Sequence, residues 1–218
     1  MRPTHHPVRA ALVAFGLTIA MVGFDGTPAN AAANCKVSAG VTQTNTTVTG
    51  TNGNDSIDCS KSTPGKTISG NGGNDTIVGT ALADTIQGGT GNDTVNGGGG
   101  DDLMFGGVRD TQVSNSGRDT LEGEGGNDTI SGGDDIDSLT GGPGNDTLNG
   151  GSEADSIDGG GGNDTIDGGL GFDSLAGEAG NDTLNGPADD GSHDDLNGGT
   201  GADTCSGPLP DGDKLTSC

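Results

Sequence analysis

The chain has 218 residues, 47 of them glycine, with 32 acidic against 8 basic side chains and a formal net charge of −24. It contains no Trp and no Tyr, so it lacks the large apolar groups that oppose chain entropy in a conventional core, and composition alone would leave it disordered. Such acidity excludes nucleic acid as a partner, because phosphate repels carboxylate, and makes cations the natural one.

The length allows one domain with small appendages. Residues 1–33 read as a secretory signal peptide. Arg2, His5, His6 and Arg9 precede an apolar run from Ala10 to Phe24, and Ala29, Ala31 and Ala33 supply small residues for cleavage. The run of about 15 residues is short of the ~20 that a spanning helix needs. A secreted, extracellular protein with no membrane attachment after cleavage is therefore expected.

Four cysteines follow: Cys35, Cys59, Cys205 and Cys218. An even number in an exported chain implies disulfides. Two lie before the regular part of the sequence and two at its end, so Cys35–Cys59 and Cys205–Cys218 are the expected pairs. A Cys₄ zinc site competes weakly, since no C-x₂-C pair occurs.

Residues 34–69 read as an N-terminal cap. Thr46-Thr47-Val48 stands nine residues before Asp55-Ser56-Ile57, as a first rung without its carboxylate. Residues 59–69, with Lys61, Pro64 and Lys66, interrupt the period. Gly65-Lys66-Thr67 does not make a phosphate loop, because position 60 is Ser where that motif requires Gly.

From 70 to 206 the chain is a ladder of nonapeptides. Asp75, Asp84, Asp93 and Asp102 come first, followed two residues later by Ile77, Ile86, Val95 and Met104. Eight further Asp residues recur at nine-residue intervals: Asp119, Asp128, Asp137, Asp146, Asp155, Asp164, Asp173 and Asp182. Behind them stand Leu121, Ile130, Leu139, Leu148, Ile157, Ile166, Leu175 and Leu184. The interval from Asp102 to Asp119 is 17, and the stretch 108–115, which carries Arg109, reads as a bulged or looped rung with weakened metal binding. After an insertion with Pro187 and His193, Asp194, Asp203 and Asp213 continue the series, with Leu196, Cys205 and Leu215 at the apolar places. Residues 207–218 then form a C-terminal cap, and the coil is expected to run to the last residues.

Each unit divides into a turn half, G-G-x-G-x-D, and a strand half, x-U-x, with U apolar. Glycine permits positive φ and close backbone approach, so successive carbonyls can face one centre. Strand alternation sends U inward and its neighbours outward. Stacked coils then give parallel ladders around an interior file of Ile and Leu.

The clearest unit, Gly141-Gly142-Pro143-Gly144-Asn145-Asp146-Thr147-Leu148-Asn149, matches the nonapeptide G-G-x-G-x-D-x-U-x of calcium-binding parallel β-helices. The pattern strongly resembles the repeats-in-toxin family, the haemolysin-type calcium-binding repeats, over roughly residues 50–206. The resemblance implies an all-β fold, a right-handed parallel β-roll (a β-helix solenoid) with two nonapeptides per turn. It implies Ca²⁺ between consecutive turns, held by the Asp carboxylate and by turn carbonyls. Asp128, Asp146, Asp164 and Asp182 would then line one edge, and Asp119, Asp137, Asp155 and Asp173 the other. Asp55, Asp75, Asp84, Asp93, Asp102, Asp194 and Asp203 complete the candidate ligands. Stacking at roughly 4.8 Å per coil would make about nine coils near 40 Å long. Leu82, Asp135 and Glu153 replace the fourth glycine of their units, and Thr51 and Asn71 the second. These departures weaken the case for ions near Asp84, Asp137 and Asp155, although Asp135 and Glu153 offer extra carboxylates.

Electrostatics reaches the cation independently. Carboxylates stacked about 5 Å apart repel by roughly 3 kcal/mol per neighbour at an effective dielectric near 20. No Lys or Arg lies between residues 119 and 213 to relieve this. Ligands made only of carboxylate and carbonyl oxygen suit Ca²⁺ before Mg²⁺. Extracellular sites of this kind bind at about 10⁻⁴–10⁻³ M. At ten times Kd each adds about 1.4 kcal/mol, so several together match the stability of a domain.

Other chemistries find little support. The Asn-Asp-Thr triplets match a glycosylation acceptor, but the repeat itself accounts for them. EF-hand spacing is absent. His193, beside Asp194 and Asp195, reads as a surface loop residue. No Ser has a His partner for a triad, and no aromatic platform exists for a sugar. The sequence therefore describes a calcium-dependent structural or surface protein without enzymatic activity. The alternative is an adhesive or envelope-associated protein that contacts a cell surface or other copies of itself through its outward Thr, Ser and Asn rows.

Overall fold

The computed structural model describes residues 34–107, 117–187, 193–207 and 214–218. The expected signal peptide, the stretch 108–115 with Arg109, and Asp213 lie outside them. All regular structure among the described residues is β, in two ten-stranded sheets between which successive strands alternate from Thr47–Thr49 onward. Each sheet opens on an antiparallel strand, Lys36–Val37 in one and Thr42–Gln43 in the other. The other strands are parallel to their neighbours, so the chain is a β-solenoid of stacked coils with two strands per coil, as the repeat predicts.

Register follows the nonapeptide. Leu139 stands opposite Ile157 and Ile157 opposite Leu175 in one sheet. Leu148, Ile166 and Leu184 align in the same way in the other. The three residues x-U-x show the alternation expected of a strand: at Thr147–Asn149 the Thr is exposed, Leu148 buried and Asn149 half-buried. The core is therefore one continuous file of apolar residues from Val48 and Ile57 to Leu184 and Leu196, each at most 2% exposed. Burying such a side chain stabilises by about 1.5–3 kcal/mol. This narrow interior replaces the broad core that the composition rules out.

The strand pairing shows how the coil passes the two irregular stretches of the sequence. Residues 59–69 do not interrupt the coil: Thr67–Gly72 pairs in register with Thr47–Thr49 before it and Thr85–Thr90 after it. Lys66 thereby enters the slot that Asp occupies elsewhere. Among the described residues no rung stands between Met104 and Leu121: Thr94–Gly99 pairs directly with Thr120–Gly125 and Leu103–Phe105 with Thr129–Gly133. The described half-coils on either side of that stretch thus stack on each other. Glu124 and Glu178 also join Asn71 as non-glycine residues at the second place of a unit, with φ of 69°, 68° and 76°.

The coils reach the end of the chain as expected, since Leu196 aligns with Leu215 and Leu184 with Cys205. Leu215 has no further coil above it and is 36% exposed. Both expected disulfides are formed, Cys35–Cys59 and Cys205–Cys218.

Candidate metal centre

The turn halves of the units build the two edges of the solenoid. Asp55, Asp75, Asp93, Asp119, Asp137, Asp155, Asp173 and Asp194 stack on one edge. Each of these except Asp55 accepts, through Oδ1, the backbone N–H of the Asp one coil earlier, at 2.7–2.9 Å. Asp84, Asp102, Asp128, Asp146, Asp164, Asp182 and Asp203 stack on the other, linked in the same way at 2.7–3.0 Å from Asp84 onward. All fifteen Asp residues singled out by spacing thus fall on the two edges, and the assignment of Asp119–Asp173 and Asp128–Asp182 to opposite edges holds.

The second carboxylate oxygen is the informative one. Oδ2 of Asp75, Asp93, Asp102, Asp119, Asp128, Asp137, Asp146, Asp155, Asp164 and Asp182 is buried and has no hydrogen-bond partner. An ionised oxygen left so is costly unless a cation or proton meets it. Each lies against the first glycine of its unit. A methyl group placed on Gly141 would come 2.4 Å from Asp146 Oδ2 and 2.6 Å from the carbonyl oxygen of Gly159, one coil on. Gly123 relates to Asp128 and Gly141, and Gly132 to Asp137 and Gly150, in the same manner. The absent Cβ leaves a cradle faced by a carboxylate oxygen and by a carbonyl of the next coil. Among the described residues no group of three or more His, Cys, Asp or Glu side chains is placed to hold a metal by itself. Carbonyls must therefore complete any site, and that oxygen-only set fits a calcium-like ion.

Burial and like charge act together on these carboxyls. Desolvation first, then repulsion from neighbouring Asp residues, pushes Asp137 up to about 8 against the lowering effect of its backbone hydrogen bond. Asp93, Asp102 and Asp155 rise to about 7 for the same reasons. Asp119 and Asp146 rise to about 6, again chiefly through burial. Asp75, Asp128, Asp164 and Asp182 are also raised. Asp55 is the opposite case. Burial raises it, but hydrogen bonds from Thr51 and Ser38 together outweigh that and hold it below the usual value.

The departures from the nonapeptide act less simply than spacing suggests. Asp137 and Asp155 keep the same arrangement as their neighbours, although Asp135 and Glu153 stand in their turns. Asp135 and Glu153 adopt left-handed φ of 72° and 76° and leave their side chains exposed at the rim. Asp84 does differ, because Thr80 two places before Leu82 donates both its N–H and its hydroxyl to the carboxylate. His193 is exposed, in keeping with a surface position.

A further set of polar residues was not evident from spacing. Where Asn precedes the Asp, its side chain forms a ladder of its own: Asn127, Asn145 and Asn163 each accept, through Oδ1, the N–H of the equivalent residue one coil later, at 2.7–2.8 Å. Asn54, Asn74 and Asn92 do the same on the other edge at 2.9–3.1 Å. Asn reaches forward and Asp backward, so adjacent turn amides are capped from opposite directions. The recurrence of Asn-Asp in the sequence is the signal that could have revealed it.

The description "RTX calcium-binding nonapeptide repeat" belongs to a family model that matches the chain at residues 67–84, 78–108, 110–139, 140–175, 158–191 and 167–205. None of the curated proteins matches it. The matched segments cover more than half of the sequence and contain the two Asp files from Asp75 and Asp84 onward with their glycine turns, and on that ground the chain belongs to the RTX calcium-binding nonapeptide repeat family.

Proposed function

We propose that this is a secreted protein without enzymatic activity whose stacked turns bind several Ca²⁺ ions, and that the ions drive its folding. The observation that carries this reading is the set of ten buried carboxylate oxygens without a hydrogen-bond partner, all but those of Asp102 and Asp164 sharing their glycine cradle with a glycine carbonyl of the adjoining coil. Asp75, Asp93, Asp119, Asp137 and Asp155 would hold ions on one edge, and Asp102, Asp128, Asp146, Asp164 and Asp182 on the other. The ion would supply positive charge to carboxylates of which only Asp119, next to Arg118, has a Lys or Arg adjoining it in sequence. The chain supplies a rigid spacing of coils and glycines that leave room for it. The two disulfides support an oxidising, extracellular setting. Bound calcium per chain, measured by equilibrium dialysis, should approach ten, with magnesium failing to compete at equal concentration. Binding of one ion or none would overturn the reading.

A further inference from the structure

The first coils satisfy their buried polar atoms differently from the rest. Asp55 has both oxygens engaged: Oδ1 accepts the Ser38 hydroxyl at 2.8 Å, and Oδ2 accepts the Thr51 N–H at 2.6 Å and the Thr51 hydroxyl at 3.0 Å. Asp84 Oδ2 accepts the Thr80 N–H at 2.5 Å, and its Oδ1 accepts the Thr80 hydroxyl at 3.2 Å together with the Lys66 N–H. Neither Asp therefore offers a bare buried oxygen of the kind found from Asp75 on one edge and Asp102 on the other.

Thr51 and Thr80 share one position, the second of the unit, four residues before the Asp. In most other units that place holds a residue with left-handed φ, as in Asn71, Gly98, Glu124, Gly142, Gly160 and Glu178. A β-branched side chain resists the left-handed region. Thr51 and Thr80 stay out of it, and both their amide and their hydroxyl face the carboxylate. A third substitution lies between them on the second edge. Lys66 fills the Asp slot, only 4% exposed, and its ammonium donates to the carbonyl of Asn45. A tethered cation thus stands at the head of a file that otherwise consists of Asp. Finally, Cys35–Cys59 staples the antiparallel cap to these coils, with Cys59 fully buried in their core.

We propose that this end of the solenoid is a metal-independent block, and that the calcium files begin only at Asp75 on one edge and Asp102 on the other. Thr51, Thr80 and Lys66 provide from within the chain the donors and the positive charge that an ion provides elsewhere. The coils around Val48, Ile57 and Ile68 then remain formed without calcium and present a finished edge on which the next coil is added. In a stacked repeat each coil gains most of its stability from its neighbour, so such a block removes the cost of the first coil when calcium arrives. The proposal rests on the calcium reading above for the remainder of the ladder, but its own claim concerns the state without the ion.

Hydrogen exchange of the full chain, read by mass spectrometry, tests it. In chelator, amides in Thr47–Thr49, Ser56–Asp58 and Thr67–Gly72 should exchange at least about 100-fold more slowly than those in Ser138–Pro143, Thr147–Ser152 and Thr165–Leu170. Equal exchange of the two groups in chelator, whether fast or slow, would overturn the proposal. The same experiment in calcium reports separately on the calcium reading, which fails if the second group gains no protection. The double variant Thr51→Val, Thr80→Val keeps the side-chain shape and removes both hydroxyls. It should lose at least about tenfold of the first group's protection in chelator. Protection unchanged from the parent chain would show that these hydroxyls do not stand in for the ion, and would also overturn the proposal.

Discussion

At the scale of single residues, two adjacent glycines show how strictly each place in the nonapeptide is defined. Gly162, at φ +144°, packs so closely on the preceding coil that an added Cβ would lie 1.5 Å from the carbonyl oxygen of Gly144. Gly161 would place its Cβ in open space, with nothing within 4 Å. Gly162→Ala should therefore destabilise the calcium-bound protein by about 3 kcal/mol, since it forces backbone apart inside a packed stack. Gly161→Ala should fall within about 0.5 kcal/mol of the parent. Denaturant unfolding in saturating calcium distinguishes the two, and equal stabilities would show that the coils are not packed as described. The Asn ladder belongs to the same scale. Asn163→Ala removes the acceptor of the Asn181 N–H, and should lower stability by about 1 kcal/mol in the same assay.

At the scale of the coil, the carboxylate files make the calcium-free state sensitive to pH in a defined direction. Burial and the neighbouring carboxylates push Asp93, Asp102, Asp137 and Asp155 up to about 7 to 8 in the folded chain, from an ordinary value of 3.8. A carboxyl raised in this way favours folding while it is protonated. Its contribution is fully present below about pH 4 and is lost as the pH rises through 6 to 8. In chelator, acidification from pH 8 to pH 4 should increase β structure measured by far-UV circular dichroism. In calcium the sign reverses for binding, because protons compete for the same oxygens, and the apparent Kd should rise as the pH falls. A calcium-free spectrum unchanged between pH 4 and pH 8 would contradict the buried, repelling files.

Much of the coil was legible in the sequence. A period of nine with one aliphatic and one Asp per unit determines which residue goes inward and which carboxylates share an edge. The breaks were not legible, since spacing alone does not show whether the half-coils on either side stack on each other, as they do around the stretch between Met104 and Leu121. Lys66 was hidden for a related reason: a cation in an Asp slot looks like loss of the motif until the strands on either side are seen to pair. Asp84 was suspected because of Leu82, whereas the structure traces its difference to Thr80, whose effect depends on the direction of a backbone N–H.

At the scale of the molecule, a chain with net charge −24 and no Trp or Tyr holds a single-file core between two rows of buried carboxylates. The aliphatic file accounts for the register of the coils, and the staples at Cys35–Cys59 and Cys205–Cys218 secure its ends. Neither neutralises the rows, and the proposed function assigns to the cation the decision whether the central coils form. A calcium titration followed by far-UV circular dichroism and hydrodynamic radius tests this claim most directly. The account predicts a gain of β signal and a compaction near millimolar calcium, absent with magnesium. A β-rich, compact protein that responds to neither ion would contradict it, and would mean that the core and the disulfides are sufficient without the metal.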